Sequence, residues 1–178
     1  MSNVGEVEGV EDFGLYGFRL KIPRTWRVEF NPKGTREKGD IVFHSPKRNR
    51  IFVSWGPLAD ASKRFKSLEA HRDFAISELK KARGVRSVEV TESGEAMVCG
   101  HRALITRVTA APAGGILAPR QPDRDMLSAH FYCTEGARYY VMYSMLNAPN
   151  EYVDFPAVFD TMVRSILCHS TVELGDRV

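Results

Sequence analysis

The sequence predicts an α+β fold in which helices cover an antiparallel β-sheet, giving an α-β-α sandwich. Most segments alternate apolar and polar residues with the period of two that is typical of half-buried strands. Short turns rich in Gly, Pro or Asn separate these segments, as expected of antiparallel hairpins. Only two segments have the period of an amphipathic helix. The 178 residues, of which 43% are hydrophobic, fit one domain with a full core.

The first part of the chain is predicted to be rich in strands. Residues 1–13 contain little apolar material and are predicted to form a flexible acidic tail. Apolar and basic residues alternate over residues 15–23, which predicts a strand that ends at a proline. Further strands are predicted at 26–30, 41–44 and 50–55, the last two joined by a basic hairpin loop.

Two helices are predicted from apolar residues at helical spacing. The first runs from Leu68 to Ala82, with Ser67 as its N-cap and Gly84 as its stop signal. The second covers residues 155–168 and presents one broad apolar face.

Between these two helices the pattern predicts a second set of strands. They lie at residues 85–99 (interrupted at a Ser-Gly pair), 102–110, 126–133 and 138–146. The run 139–143 is apolar on both faces and predicts a central strand that is covered on both sides. Residues 171–178 are predicted to be a polar tail, so that a single domain spans residues 14–170.

The order of these elements resembles that of PsbP-like proteins. Three stretches carry the resemblance, namely Gly17-Phe18-Arg19-Leu20-Lys21-Ile22-Pro23 with Trp26, Gly100-His101-Arg102-Ala103, and Val163-Arg164-Ser165-Ile166-Leu167. Over residues 14–169 the chain is similar to the superfamily of the photosystem II extrinsic PsbP protein and the Ran-binding Mog protein. The resemblance implies an α-β-α sandwich with a mostly non-enzymatic binding role, and it supplies no catalytic motif.

Cysteine usage and the first residues predict a cytoplasmic protein. Cys99, Cys133 and Cys168 are an odd number at wide spacing, which is not a disulfide pattern. The first residues are acidic and lack the apolar core of a secretory signal, and no segment has the length and hydropathy of a membrane span. Glutamine occurs only once, which is a mild indication of a thermophilic source.

The net charge of +3 conceals a strongly uneven distribution. Residues 13–86 carry 18 basic and 7 acidic side chains, whereas the segments on either side are acidic. This asymmetry favours an acidic protein or a nucleic acid as partner. The alternative is a solvated basic surface that the acidic segments neutralise once the chain folds. The basic residues predicted to form a partner-binding edge are Arg19, Lys21, Arg24, Arg27, Lys47, Arg48 and Arg50.

A long loop at residues 111–125 is the second candidate contact surface. Loops of this length without regular structure are usually functional or disordered. Ile116 and Leu117 form an apolar pair between its glycines and prolines. We expect this pair either to anchor a partner or to fold back onto the edge of the domain.

Residue patterns that carry catalysis are absent from the sequence. Gly34 and Gly39 have the spacing of a phosphate-binding loop, but Asp40 stands where the loop's lysine would be. The acids around position 124 are expected to be solvated turn residues rather than an acid–base pair. His71, at the edge of the first helix, is expected to be a boundary histidine bonded to the sheet.

Histidines and cysteines occur close together in the sequence, and such residues can bind a metal ion. The four candidates for zinc are Cys99, His101, His130 and Cys133. His130 and Cys133 are three residues apart in a strand and therefore point to opposite faces. We expect the cysteines to fill the core and the histidines to face outward. Cys168 and His169 are expected to point apart. The sequence thus predicts no metal site, no cofactor and no catalytic residue.

Together these observations predict a non-enzymatic cytoplasmic adaptor domain. It would recognise an acidic protein through the basic edge and the long loop. One alternative is a nucleic-acid-binding domain that uses the same edge, and another is a small-ligand-binding protein with a pocket between sheet and helix. No membrane partner is predicted, and the oligomeric state stays open.

Overall fold

The computed structural model describes residues 9–46, 49–113, 122–145 and 155–169. These residues form nine strands and three helices. In chain order they are β1 (Val10–Leu15), β2 (Phe18–Pro23), β3 (Arg27–Phe30), β4 (Gly39–His44), β5 (Arg50–Pro57), α1 (Leu58–Arg64), α2 (Leu68–Lys81), β6 (Val85–Val98), β7 (His101–Pro112), β8 (Arg124–Cys133), β9 (Arg138–Met145) and α3 (Phe155–Arg164).

Seven of these strands form one antiparallel sheet in the order β3-β4-β5-β9-β8-β7-β6. Strands β1 and β2 form a separate antiparallel hairpin. Strand β9 lies in the middle of the sheet, which confirms the prediction of a central strand from its apolar run.

The two faces of the sheet are covered by different elements, and this confirms the predicted α-β-α sandwich. On one face lie the β1-β2 hairpin and α3, which share a core with the inward-facing residues of the sheet. On the other face, α1 packs against β5 and β9, and α2 packs against β6, β7 and β8. None of the helices in the described ranges is long and apolar enough to cross a membrane.

The two interfaces of the sandwich differ in how tightly they pack. Between the hairpin and the sheet, Phe18 is fully buried and its ring contacts those of Trp55 and Tyr140. Between α2 and the sheet, only Leu68 of the helix is buried, and the apolar side chains that follow it are half-exposed. Helix α2 therefore covers its face of the sheet loosely.

The predicted helix at residues 68–82 is confirmed as α2. The Ser67 hydroxyl accepts a hydrogen bond of 3.2 Å from the Ala70 N–H, as expected of an N-cap. Gly84 has φ of +85°, the left-handed conformation that favours glycine where a chain leaves a helix.

Several element boundaries differ from the predictions. Strand β1 begins at Val10, inside the predicted tail of residues 1–13, because Phe13 and Leu15 pack against the core. Helix α1 was not predicted, and its seven residues are too few to show a helical period. The interrupted segment at 85–99 is one strand, β6, with two register shifts. The predicted tail at residues 171–178 lies outside the described residues.

Candidate functional site

The basic residues of the predicted edge that the structure describes do not share one surface. Arg19 and Lys21 alternate with buried residues of β2 and project from the outer face of the hairpin, and Arg24 is exposed just after the strand. Arg27 and Arg50 each stand opposite His44 in the register and project from the other face of the sheet. The structure therefore places Arg19 and Lys21 on one face of β2 and separates them from Arg27 and Arg50.

Nearby acids offset part of this basic charge. The Lys21 ammonium lies 3.2 Å from Asp12, and the Arg27 guanidinium lies 3.8 Å from Glu29. Arg19 lines an open groove of about 600 Å³ at the tip of the hairpin. Four further predicted contact residues lie outside the described residues, namely Lys47, Arg48, Ile116 and Leu117.

A cavity lies between the helices and the sheet, where the sequence offered a ligand pocket as an alternative but indicated none of its residues. A space of about 280 Å³ beneath α2 is lined almost entirely by apolar side chains, including Ile76, Leu79 and Met126. A second space, of about 400 Å³, lies between α1, α2 and the sheet. The two share lining residues, among them His130. We call this pair of spaces the α2 cavity.

His130 is the buried polar group of the α2 cavity. It lies on β8, is 2% exposed, and its two ring nitrogens have no hydrogen-bond partner among the described residues. Burial, together with the nearby His71 and Arg72, lowers the pKa of His130 to about 3. The imidazole is therefore neutral at physiological pH and offers one donor and one acceptor.

Other polar groups surround His130 at the α2 cavity. His71 stacks on Phe65 with ring centroids 4.3 Å apart, and a hydrogen bond of 3.3 Å joins its Nδ1 to the Tyr132 hydroxyl. This confirms the prediction of a boundary histidine bonded to the sheet. Thr106, one strand away from His130 on the same face, is buried and its hydroxyl has no partner among the described residues. Unpaired buried groups of this kind are costly unless a ligand or water satisfies them.

The α2 cavity holds two imidazoles in different environments. His71 Nδ1 is bonded to the Tyr132 hydroxyl, whereas no hydroxyl or thiol of the described residues is bonded to His130. The Arg64 guanidinium lines the larger space and lies 4.3 Å from the centre of the Phe74 ring. The cavity thus combines an apolar floor with a neutral imidazole and a cation near its rim.

A second cluster lies at the start of β7 and the end of β8, and it contains two of the four residues considered as zinc ligands from the sequence, His101 and Cys133. It consists of His101, Cys133, Cys168 and His169, whose ligand-type atoms all lie within 4.8 Å of one another. The expectation that Cys168 and His169 point apart is wrong, since Cys168 Sγ lies 3.4 Å from His169 Nδ1. Burial and the neighbouring Cys133 raise the pKa of the Cys168 thiol.

The structure also tests the expectations made for His130 and for the acids around position 124. His130 and Cys133 do lie on opposite faces of β8, as predicted, but His130 is buried rather than outward-facing. Asp125 forms an ion pair of 2.7 Å with Arg107 and accepts a hydrogen bond from Thr109. It therefore has a structural environment between strands and does not lie free in a turn.

The fold of this chain, with its hairpin, seven-stranded antiparallel sheet and flanking helices, is similar to that of PsbP and Mog1 structures, as the sequence resemblance predicted. The chain is similar to the solution structure of cyanobacterial PsbP (CyanoP) from Synechocystis sp. PCC 6803, with a TM-score of 0.58 and 12% identity over 95% of this chain and 97% of that one. It is also similar to the Saccharomyces cerevisiae Ran-binding protein Mog1p, with a TM-score of 0.61 and 14% identity over 92% and 97% of the two chains. A mutant of Mog1 matches with a TM-score of 0.63 over the same shares. No protein-family model and no curated protein sequence matches the chain.

Proposed function

We propose that this protein is a non-enzymatic binding domain that holds a small, mainly apolar molecule in the α2 cavity. The observation that carries the proposal is the buried His130 imidazole, which has no partner among the described residues and faces an apolar space. A ligand with a carboxyl or hydroxyl head group would satisfy this imidazole, and its apolar part would fill the space beneath α2.

Size and packing agree with a ligand of this kind. The apolar space of about 280 Å³ is just below the usual range of small-molecule pockets, roughly 300–1,000 Å³, and the adjoining space of about 400 Å³ lies within it. The loose packing of α2 leaves Ile76 and Leu79 half-exposed, so that a ligand would bury further apolar surface. Arg64 at the rim favours a negatively charged head group.

Octanoate is a suitable probe for the α2 cavity. We expect it to bind saturably and to stabilise the folded protein, by about 2.7 kcal/mol at a concentration one hundred times Kd. In His130→Leu the polar partner is lost, and octanoate should bind at least about tenfold more weakly. Isothermal calorimetry and thermal unfolding measure both effects.

The matched control for this experiment is His44→Leu. His44 is another histidine of the sheet, partly rather than fully buried, but it bonds to Glu29 and does not line the α2 cavity. It should bind octanoate as the wild type does. Absence of saturable binding to the wild type, or equal binding by His130→Leu and His44→Leu, would contradict the proposal.

A protein partner is the second function that we propose, favoured by the surface cations of the hairpin. Arg19 is exposed on β2 and lines the open groove at the hairpin tip, and Arg24 is exposed just after this strand. An acidic protein would be attracted to this side by electrostatic steering. The likeness in fold to a Ran-binding protein supports protein binding in general, and the free cysteines suit a cytoplasmic location.

Charge reversal separates this second function from nucleic-acid binding. We expect an acidic protein to be retained from nuclease-treated lysate and to associate at least about tenfold more slowly with the double variant Arg19→Glu, Arg24→Glu. Arg50→Glu, on the opposite face, is the control and should behave as the wild type. Recovery that disappears after nuclease treatment, or equal loss in the control, would contradict recognition of a protein by the hairpin.

A further inference from the structure

We propose that His101, Cys133, Cys168 and His169 bind a zinc ion. Three separate parts of the chain supply these residues. His101 begins β7 and Cys133 ends the neighbouring β8, so the antiparallel register places them side by side. Cys168 and His169 follow α3, and their segment is held in place because Leu167 pairs with Arg19 of β2. Their meeting therefore depends on the complete fold.

The distances in the cluster fit a tetrahedral zinc site. Zinc binds sulfur at about 2.3 Å and histidine nitrogen at about 2.0–2.1 Å, so two ligands of a tetrahedral ion lie roughly 3.3–3.8 Å apart. His169 Nδ1 lies 3.4 Å from each of three atoms, which are His101 Nε2, Cys133 Sγ and Cys168 Sγ. All four ligand atoms lie within 4.8 Å of one another. A small contraction of the cluster would bring all four to bonding distance.

Groups around the cluster support a metal-bound thiolate and hold the ligands. The Gly136 N–H points at Cys133 Sγ at 3.2 Å, in the position of an amide that stabilises a thiolate. The Tyr140 hydroxyl donates to the Cys168 carbonyl oxygen at 3.5 Å and fixes the segment after α3. The Glu135 carboxylate lies 3.3 Å from His101 Nε2, the atom that would bind zinc. The ion would replace this contact, and the carboxylate would remain as a negative charge beside the cation.

The donor set identifies the metal class. Two thiolates and two imidazoles suit Zn²⁺ and disfavour Mg²⁺ or Ca²⁺, which prefer oxygen ligands. Binding releases the two thiol protons as the Zn–S bonds form. Four protein ligands leave no open position, which is typical of a structural rather than a catalytic site. Cys99 Sγ lies further out, 3.8 Å from His169 Nδ1, and is not one of the four ligands.

Zinc at this site would fasten the segment after α3 to the ends of β7 and β8. This segment already pairs with β2, so the ion would tie together the hairpin, α3 and the sheet. His169 also lines the open groove beside Arg19, which gives a metal ion access from solvent. We therefore expect bound zinc to raise the unfolding temperature of the full chain.

Metal titration of the reduced full-length protein tests the site. We expect one Zn²⁺ per chain by elemental analysis, and Co²⁺ substitution should give the intense visible bands and thiolate charge-transfer absorption of a tetrahedral thiolate site. His169→Asn should lower the affinity by more than about 100-fold, since loss of even an outer partner typically costs 10–100-fold. His101→Asn should do the same.

Cys99→Ser is the matched control, because it removes a thiol beside the site without removing a proposed ligand. It should keep the Co²⁺ spectrum and the affinity of the wild type, and far-ultraviolet circular dichroism checks that each variant is folded. The proposal is overturned if reduced wild-type protein binds no Co²⁺, or if folded His101→Asn and His169→Asn retain full affinity. It is equally overturned if Cys99→Ser loses the spectrum while His169→Asn keeps it.

Discussion

Mild acid is expected to destabilise this protein through His130, and His130→Leu should remove much of that sensitivity. The pKa of His130 is lowered to about 3 in the folded protein, chiefly by burial, whereas an unfolded histidine titrates near 6.5. Between these values the unfolded chain binds more protons than the folded one. The contribution of the neutral His130 to the free energy of unfolding is therefore fully present above about pH 6.5. It is lost as the pH decreases towards 3.

The size of the effect follows from the difference in pKa. Each unit corresponds to about 1.4 kcal/mol, so the full window between pH 6.5 and 3 amounts to several kcal/mol. His130 is 2% exposed, and solvent screening therefore reduces this figure little. Between about pH 6.5 and 5 the expected loss from His130 alone is about 2 kcal/mol.

Between about pH 6.5 and 5 the loss of stability comes from histidines and not from carboxylates. Hydrogen bonds from its own backbone and from Arg102 lower the pKa of Glu69 to about 2. Stability from such a carboxylate is present above its unfolded pKa near 4.5 and is lost only below it. His71 contributes in the same direction as His130, because burial also lowers its pKa. The variant at His130 is therefore needed to separate the two rings.

Urea unfolding of wild type and His130→Leu at about pH 7 and about pH 5 measures this dependence. On acidification His130→Leu should lose about 2 kcal/mol less than the wild type. An identical loss in both proteins would show that His130 is not held neutral in the folded state. It would also weaken the case for a ligand at this imidazole.

Local periodicity was enough to predict most of the fold. The alternation of Phe18, Leu20 and Ile22 predicts β2 because a strand with one buried face must place every second residue inward. Ser67 and Gly84 predict the ends of α2 through hydrogen bonding and backbone conformation, which are local effects. Helix α1 and the start of β1 were missed because both are short and depend on tertiary contacts.

The candidate sites were far less predictable, because each depends on residues distant in sequence. His101 and His169 are separated by most of the second half of the chain, and they meet because the pairing of Leu167 with Arg19 and the bond from Tyr140 hold the segment after α3. The α2 cavity depends on how loosely a helix packs, which periodicity does not encode. One available signal was His130 itself, since alternation around buried Phe131 places it on the helix-covered face of a central strand.

The second large effect concerns the hairpin: Phe18→Ala is expected to reduce the free energy of unfolding by about 3–5 kcal/mol. The Phe18 ring is 1% exposed and lies with its centroid 5.4 Å from that of Trp55 and 5.9 Å from that of Tyr140. Its removal would leave a cavity between β2 and the centre of the sheet, which the aromatic neighbours fill only in part.

Phe30→Ala is the matched control, because Phe30 is 52% exposed on the edge strand β3. It should cost less than about 1 kcal/mol, since most of its surface already contacts water. Equilibrium unfolding in urea compares the two variants directly. A cost for Phe18→Ala as small as that for Phe30→Ala would mean that the hairpin is not docked on the sheet. The groove beside Arg19 and the pairing that positions Cys168 and His169 both involve β2, so neither would then be formed as described.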